Sequence, residues 1–174
     1  MRFAQIRKSD ISNGLGYGIS LFTQGCNFRC PGCHNYEQWN LNDGEEYTTA
    51  QEQLIIKLAQ PKYVKRFSVL GGEPLMTRNL KELLILFEKL KESKPDIKIW
   101  IYTGNTYEEL QERIKNNPED YYLDPILKIA DVLVDGKFIQ EQKDLTLSFR
   151  GSRNQRVIDL RQTAKIGSVV LLDI

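Results

Sequence analysis

The sequence predicts an α/β protein with a parallel sheet, in the form of a partial (βα) barrel that is open rather than closed. Segments rich in β-forming residues that end at glycine alternate with segments whose apolar residues recur at helical spacing. This alternation indicates βαβ units, which place strands in parallel with right-handed crossovers. The chain of 174 residues is too short for a closed barrel of eight strands and eight helices, which typically takes about 250 residues.

Each predicted element rests on its own local pattern. The first strand covers 18–25, which is rich in β-forming residues and runs straight into a cysteine-containing loop. The clearest amphipathic helix covers 79–93. By the same criteria we predict further strands at 64–70, at 97–102 and at the end of 126–136, and further helices at 48–60 and 106–115.

Four chemically distinctive segments directly follow predicted strands. The carboxyl ends of parallel strands lie along one edge of a sheet, where α/β enzymes build their sites, so we expect these segments to meet there. They are the cysteine loop 26–34, Gly71-Gly72-Glu73-Pro74, Thr103-Gly104 and Asp135-Gly136-Lys137.

The composition predicts one globular domain that covers 1–174. Apolar residues make up 41% of the chain and charged residues 27%, which is ordinary for a globular protein. The net charge of +1 provides no general attraction to nucleic acid or to an anionic membrane. No apolar run approaches the ~20 residues that span a bilayer, and the first residues lack the apolar core of a secretory signal. We therefore expect a cytoplasmic protein with no nucleic-acid or membrane partner.

The segment CNFRCPGCH, from Cys26 to His34, contains all three cysteines and the only histidine of the chain. It admits four interpretations. Two of them, a disulfide and covalent haem attachment, require neither zinc nor an iron–sulfur cluster. A disulfide leaves one cysteine unpaired in a reducing compartment, and a redox pair of Cys30 and Cys33 leaves Cys26 without a role. Haem attachment matches C-x-x-C-H, but covalent haem goes with export, for which the sequence carries no signal.

Zinc and an iron–sulfur cluster are the two metal interpretations. Three cysteines and His34 could supply four zinc ligands, but the adjacent side chains of Cys33 and His34 tend to diverge, and there is no second ligand pair. A 4Fe-4S cluster takes thiolate ligands, and cysteines with this tight spacing let one loop wrap one cube. Its fourth iron would stay open to a ligand, as catalytic zinc keeps an open position. The cluster is therefore favoured, and zinc stays as the alternative.

The C-x3-C-x2-C spacing directly after a first strand resembles the signature of the radical S-adenosylmethionine (SAM) enzymes. Further segments extend the resemblance to the anaerobic ribonucleotide reductase activating proteins, a family of glycyl-radical-enzyme activases. Between residues 11 and 160 these segments follow the order seen in that family, and they read SNGLG, LFTQGC, CPGCHN, GGEPL, IYTG, VLVDGKF and FRGSRNQR.

The resemblance implies a partial barrel of the radical SAM type and a defined reaction. S-adenosyl-L-methionine would chelate the open iron of the 4Fe-4S cluster, and an electron would cleave it to methionine and a 5′-deoxyadenosyl radical. That radical would abstract hydrogen from a glycine of the reductase and leave a glycyl radical there. The cofactors would carry this chemistry, while the protein supplies positioning and electrostatics. The implied partners are the anaerobic ribonucleotide reductase and a low-potential electron-donor protein.

The family's motifs also imply roles for particular residues. The cluster ligands, which form the catalytic centre, would be Cys26, Cys30 and Cys33. Glycines would admit close approach of the backbone to SAM, and the Glu73 carboxylate could accept from the SAM ammonium. In chain order, the implied SAM-binding residues are Gly32, Cys33, His34, Gly71, Gly72, Glu73, Thr103, Asp135 and Lys137.

Two alternative functions stay open at this stage. One is another radical SAM chemistry, that of the pyruvate formate-lyase activase or of a small-molecule synthase. The other is a non-enzymatic zinc or redox module. The arginine-rich segment 148–156 is typical of a solvated loop, whereas the family resemblance implies that it docks the partner or orders the C-terminal segment 138–174. We expect that C-terminal segment to face the partner.

Overall fold

A mixed, open sheet of seven strands lies at the centre of the computed structural model, which describes residues 1–174. In chain order the elements are β1 (Arg2–Asp10), β2 (Gly18–Thr23), β3 (Glu45–Glu46), α1 (Thr49–Ala59), β4 (Arg66–Gly71), α2 (Thr77–Ser93), β5 (Lys98–Tyr102), α3 (Tyr107–Asn116), α4 (Leu123–Ile129), β6 (Val132–Asp135), β7 (Arg156–Asp159) and α5 (Leu160–Ile166). Across the sheet the strands follow the order β3-β1-β2-β4-β5-β6-β7. The neighbours from β2 to β6 are parallel, whereas the pairs β1–β2, β1–β3 and β6–β7 are antiparallel.

The prediction of an entirely parallel sheet is wrong at both edges. The turn-rich residues 11–17 connect β1 to β2, and Gly14 and Gly16 adopt positive φ there. A connection this short joins only antiparallel strands, since a parallel pair needs a crossover of a dozen or more residues. Residues 136–155 connect β6 to β7 without an α-helix and return the chain antiparallel. The openness and the α/β class agree with the sequence, while the barrel curvature stays a prediction.

The three helices predicted from periodicity are present. Helices α1, α2 and α3 begin and end within one or two residues of the predicted ranges. The hydroxyl of Thr48 caps α1 by accepting from the Ala50 amide. The hydroxyl of Thr106 caps α3 by accepting from the Glu109 amide, while the Glu109 carboxylate accepts from the Thr106 amide. Caps of this kind contribute about 1 kcal/mol each. None of the helices is both long enough and apolar enough to cross a membrane.

Five elements carry no clear sequence signal and were not predicted. Strand β1 lies near the edge of the sheet with most of its side chains exposed, so its sequence RFAQIRKSD shows no apolar alternation. Strands β3 and β7 contain two and four residues, and helices α4 and α5 contain seven each. Segments of that length are too short to show a periodic pattern.

One face of the sheet packs against the helices and forms the main core. Every second strand residue faces the helices, and examples such as Ile19, Phe67 and Ile101 are fully buried. They pack with helix residues such as Leu83 and Phe87. This core unites 25 buried residues from the sheet and from all five helices. Burial of each large apolar side chain contributes about 1.5–3 kcal/mol. The core therefore holds the strands, and with them the loops at their carboxyl ends, in place.

The opposite face of the sheet carries the alternate strand residues, which are partly polar. Trp100, Val132, Val134 and Val157 form a small second cluster on this face. Phe149, from the loop before β7, packs edge-on against Trp100 with 5.4 Å between the ring centroids. A loop therefore covers part of this face, and the rest of it borders a cavity.

A buried ion pair anchors the connection between β1 and β2 to the same face. The side chains of Asp10 and Arg66 are both fully buried, and Arg66 Nη2 lies 3.1 Å from Asp10 Oδ1. Asp10 also accepts from the Ser20 hydroxyl at 2.8 Å and from the Asn13 amide at 2.9 Å. Burial alone raises the pKa of Asp10, but hydrogen bonds from Ser20, Asn13 and Arg66 outweigh it and place this pKa at about 2.

We expect Asp10→Asn to lower the free energy of unfolding at neutral pH by about 3 kcal/mol or more, because the Arg66 guanidinium is then buried without its counter-charge. Chemical denaturation measures the loss. The double variant Asp10→Asn with Arg66→Met should recover part of it, since no buried charge is left unpaired. Wild-type stability of Asp10→Asn alone would contradict this account.

The same pair predicts how stability depends on acid. The folded-state pKa of Asp10 lies below its ordinary value of 3.8, so ionised Asp10 stabilises the fold above that pH. This contribution should be lost as the pH falls from 3.8 towards about 2. A denaturation series over that range should show a shallower pH dependence for Asp10→Asn than for the wild type.

Candidate functional site

A cavity of about 600 Å³ opens at the carboxyl ends of the parallel strands. All four segments that the sequence places at this edge contribute to its wall. The contributing residues are Cys26, Cys30, Cys33, His34, Gly71, Gly72, Glu73, Thr103, Gly104 and Gly136. Residues 144–151 of the connection between β6 and β7 supply a further part of the wall. The volume lies within the roughly 300–1,000 Å³ of typical small-molecule sites.

The three cysteine thiols are free, half-buried and exposed to this one cavity. The loop begins where the Cys26 amide donates to the Trp39 carbonyl at 3.1 Å. Its last turn closes where the Cys33 amide donates to the Cys30 carbonyl, also at 3.1 Å. Gly32 adopts a φ of 74° within that turn, a conformation that glycine takes without steric cost. The backbone therefore presents all three sulfur atoms from one short loop.

Burial controls the protonation of two of these thiols. It raises the pKa of Cys26 and Cys30, and the nearby Glu73 and Cys33 respectively raise it further. Both thiols therefore hold their protons more tightly than an ordinary cysteine does. A metal that binds there must displace these protons. No group of three or more histidine, cysteine, aspartate and glutamate side chains is arranged to hold a single metal ion. The zinc alternative gains no support from this arrangement.

The two residues that flank Cys33 are placed differently. His34 is exposed on the cavity wall, with its ring centroid 6.1 Å from that of Phe138. Gly32 lies outside the cavity lining, and a side chain at its position would overlap the carboxamide of Gln140. The structure thus brings His34, but not Gly32, to the site.

The Gly71-Gly72 turn packs against the start of the cysteine loop. The Gly72 amide donates to the Thr23 carbonyl at 2.9 Å, and the Glu73 amide donates to the Gly25 carbonyl at 2.8 Å. A Cβ atom on Gly72 would overlap the Gly25 carbonyl oxygen, and one on Gly71 would overlap the backbone of Thr23. These glycines therefore admit another stretch of this chain, where the sequence suggested that they admit a ligand.

The Glu73 carboxylate is fully engaged within the protein. Its oxygens accept from the Leu75 amide at 2.8 Å, the Thr103 hydroxyl at 2.9 Å and the Gly104 amide at 2.8 Å. Burial raises its pKa, and the same three hydrogen bonds oppose that rise. The Thr103 hydroxyl in turn accepts from the Asn105 amide at 3.1 Å. Glu73 and Thr103 border the cavity, but their polar groups bind each other.

Asp135 and Lys137 do not reach the cavity wall, although Gly136 between them does. Asp135 is buried and accepts from the Tyr107 amide at 2.8 Å and from Arg156 Nε at 3.0 Å. Lys137 is exposed, and its ammonium lies 5.0 Å from the ring centroid of Phe28 in the cysteine loop. Asp135 thus holds β7 and the start of α3, while Lys137 contacts the loop that carries the thiols.

The segment 148–156 is a clamp rather than a solvated loop. The Gln155 carboxamide oxygen accepts from the Gly151 amide at 2.9 Å, and its nitrogen donates to the Gly136 carbonyl at 2.9 Å. The Asn154 carboxamide donates to the Lys137 carbonyl at 2.8 Å. Ser152, at the centre of the segment, is fully buried. These contacts bind the segment to the turn that follows β6.

The three arginines of this segment have three different surroundings. Arg156 binds Asp135 and also Glu108, and the hydrogen bonds to these carboxylates raise its pKa. Arg153 is exposed. Arg150 lies in the cavity wall, and its Nε atom is buried without a hydrogen-bond partner. The sequence pattern alone does not separate these roles, because each depends on a contact distant in the chain.

Two further donors on the cavity wall are also unpaired. They are the indole Nε1 of Trp39 and the hydroxyl of Tyr102, both of them buried. An unsatisfied buried donor costs about 1–3 kcal/mol, so the wall complements a ligand that offers acceptor atoms. Nothing in the local sequence pattern marks the polar atoms of these two residues as unpaired, so sequence reasoning missed them.

Comparison with known proteins identifies the family. The family model described as a 4Fe-4S single cluster domain matches residues 12–158. The anaerobic ribonucleoside-triphosphate reductase-activating protein of Vibrio cholerae is 40% identical over 157 residues, which cover 89% of this chain and 96% of that protein. The proteins of the same name from Escherichia coli and Haemophilus influenzae are 37% and 36% identical, covering 92% and 89% of this chain and 100% and 96% of theirs. This chain belongs to that family of activating proteins.

The cavity suits the iron–sulfur cluster that the family model describes. Free thiols from one loop are the soft ligands that such clusters take. A cluster binds each thiolate at a different iron, so its ligands surround a volume and do not converge on one point. The main-chain carbonyl of Trp39 accepts from the Cys26 amide, and its unpaired indole N–H adds a donor of the kind that orients and tunes metal ligands.

The backbone contact between Gly72 and Gly25 predicts a selective effect on the cysteine loop. We expect Gly72→Ala to displace Gly25 and the adjacent Cys26, because the new methyl group overlaps the Gly25 carbonyl. Iron and sulfide content after anaerobic reconstitution should fall well below the wild-type content.

Gly167→Ala is the matched control for general destabilisation. Gly167 ends α5 with a φ of 82°, and nothing lies within 4 Å of an added Cβ. This change should cost about 1 kcal/mol of stability and leave the iron content unchanged. A full cluster in Gly72→Ala would show that the two loops tolerate separation.

Proposed function

We propose that this chain activates an anaerobic ribonucleotide reductase by generating a glycyl radical on it. The observation that carries the proposal is the meeting of three free thiols, spaced C-x3-C-x2-C, with the turns that follow three other parallel strands at one cavity. Membership of the family supports it, since its curated relatives are named for activating this reductase.

In this proposal Cys26, Cys30 and Cys33 hold a 4Fe-4S cluster, and the cavity beside them binds S-adenosyl-L-methionine. With both groups bound, the site supplies the reductive cleavage of SAM to methionine and a 5′-deoxyadenosyl radical that takes a hydrogen atom from a glycine. The three thiolates anchor the cluster at one end of the cavity. The rest of the wall is left to orient the cofactor and the protein substrate.

The remaining predicted residues divide into ligand-binding and positioning groups. Gly72 lines the cavity, and no donor of the protein bonds to its carbonyl oxygen, so we assign the SAM ammonium to this backbone oxygen and to its neighbour on Gly71. His34 lines the cavity at the end of the cysteine loop, and we assign it to SAM binding as well. Glu73, Thr103 and Asp135 act as positioning residues, because their polar groups already bind other parts of the chain. Lys137 supports the cysteine loop through Phe28.

We further infer a single domain over 1–174 with the partial-barrel geometry of radical SAM enzymes, a cytoplasmic location and a low-potential electron-donor protein. One connected core that includes all five helices supports the single domain. The net charge of +1 supports the absence of nucleic-acid and membrane partners.

The cysteine assignment predicts the loss of a coloured, active cluster. Each of Cys26→Ala, Cys30→Ala and Cys33→Ala should remain folded but should hold no stable cluster after anaerobic reconstitution, because a corner of the cube loses its ligand. Iron analysis, the visible spectrum and 5′-deoxyadenosine formation on reduction measure the effect. Lys62→Ala, which changes an exposed residue before β4, is the control and should match the wild type. Full SAM cleavage by any of the three cysteine variants would remove that residue from the ligand set.

The activation itself is tested with the candidate reductase. Incubation of both proteins with SAM and a reductant should produce a glycyl radical that electron spin resonance detects. SAM cleavage without a radical on the reductase, combined with turnover of another substrate, would assign the chain to a different radical chemistry. Reconstituted protein that holds stoichiometric zinc and no iron would end the enzyme proposal.

A further inference from the structure

The loop formed by residues 144–151, which we name the rim loop, offers an unused binding surface beside the cavity. We propose that the rim loop binds an extended segment of the protein substrate, with Arg150 and Leu145 as its principal contacts. This inference rests on the proposed function, because it identifies how the same site receives its macromolecular substrate.

The rim loop borders the same cavity as the thiols. Six of its residues line that cavity, namely Asp144, Leu145, Leu147, Phe149, Arg150 and Gly151. A polypeptide that lies along the loop therefore brings its own backbone to the mouth of the cavity in which the chemistry takes place.

The main chain of the rim loop is largely unpaired. At its base the Asp144 amide donates to the Gly151 carbonyl at 3.1 Å. Between these two residues no main-chain group bonds to another main-chain group, and only the Thr146 amide has a side-chain acceptor, the Asp144 carboxylate at 3.0 Å. Free N–H and C=O groups on an exposed segment can pair with an extended peptide, as in β-strand addition.

Arg150 adds an unused set of donors to this surface. Its guanidinium makes no ion pair, and its buried Nε has no acceptor. The preceding residue, Phe149, adopts a φ of 58° while its ring packs on Trp100. Such a conformation is strained for a non-glycine residue and persists only where the surroundings impose it. The anchored Phe149 thus holds Arg150 in the wall, where its fork of N–H groups suits carbonyl or carboxylate oxygens.

Aliphatic side chains complete the surface on two loops. Leu145 is 81% exposed although it borders the cavity. On the connection between β1 and β2, Ile11 is 76% and Leu15 51% exposed, and Ser12 of that connection lines the same cavity. Leu145 therefore presents an apolar group to solvent at the cavity, and Ile11 adds a second one beside the cavity-lining Ser12.

These three features together match a polypeptide better than a small molecule. Free main-chain groups, a guanidinium for carbonyl oxygens and aliphatic rim residues complement the backbone and side chains of an extended segment. A cofactor enclosed in the cavity would leave the exposed side chain of Leu145 in solvent. The occupant is therefore the reductase segment that carries the target glycine, because a glycine backbone is reached most directly when its segment is extended.

The test compares Arg150→Ala and Leu145→Asp with matched controls from the same chain. Arg153→Ala removes an exposed arginine of the same segment, and Ile166→Asp places a charge on an exposed aliphatic position of α5. Glycyl-radical formation is measured by electron spin resonance at increasing reductase concentration. We expect the half-saturating reductase concentration to rise at least about tenfold for both rim-loop variants, whereas both controls keep the wild-type value.

The outcomes separate this inference from the proposed function. Wild-type dependence on reductase concentration in both rim-loop variants would overturn the docking surface while leaving activation intact. A matching loss of SAM cleavage by Arg150→Ala in the absence of reductase would assign Arg150 to the cofactor and also overturn it. If the wild-type protein forms no glycyl radical at any reductase concentration, the proposed function itself fails.

Discussion

The buried carboxylate of Glu73 joins the loops that build the site. Its oxygens accept from the turn after β4, through the Leu75 amide, and from the turn after β5, through Thr103 and Gly104. Its own amide donates to Gly25, directly before the cysteine loop. A buried carboxyl group is tolerated only when hydrogen-bond donors satisfy its oxygens, because an unpaired buried polar group is costly. The relative positions of three segments of the cavity wall therefore depend on this one residue, through its side chain for two of them and through its main-chain amide for the third.

A second group of polar side chains orders the connection between β6 and β7. Asp135 binds Arg156, and Gln155 and Asn154 bind the turn that follows Asp135. The connection between β6 and β7 contains no α-helix, so these side chains, rather than a regular element, order it. The clamp also explains how a long connection can hold an aromatic ring and a guanidinium in the cavity wall.

Backbone strain is concentrated around the cavity. Only two non-glycine residues adopt positive φ, Arg29 in the cysteine loop and Phe149 in the rim loop. One strained position lies between the first two thiols, and the other directly precedes Arg150. Strain of this kind needs support from its surroundings, and for Phe149 the packing of its ring on Trp100 supplies that support. The sheet face packed against the helices, by contrast, is formed of ordinary close-packed apolar residues.

Local patterns determined more of this protein than its overall topology did. The spacing of apolar residues and the caps at Thr48 and Thr106 depend on residues at most a few positions apart, so α1, α2 and α3 could be predicted. The thiol spacing is equally local, and so is the position of each rim segment after its strand. The direction of β1 and β7 could not be predicted, because the length and path of a connection, not the strand's own residues, decide how it pairs.

The sequence by itself determined the residue types at the site and the edge of the sheet on which they lie. Only the tertiary structure decided what each of them binds. Glu73 meets Thr103 across 30 positions of the chain and Asp135 meets Arg156 across 21, so both carboxylates serve the protein where their motifs suggested a ligand. The tertiary structure likewise distinguishes Arg150, which lies in the cavity wall, from Arg153, which is exposed to solvent. Hydrogen-bond partners are groups that lie close together in space. A polar group that is buried loses its hydrogen bonds to water, so it must pair with a group that the fold brings near it.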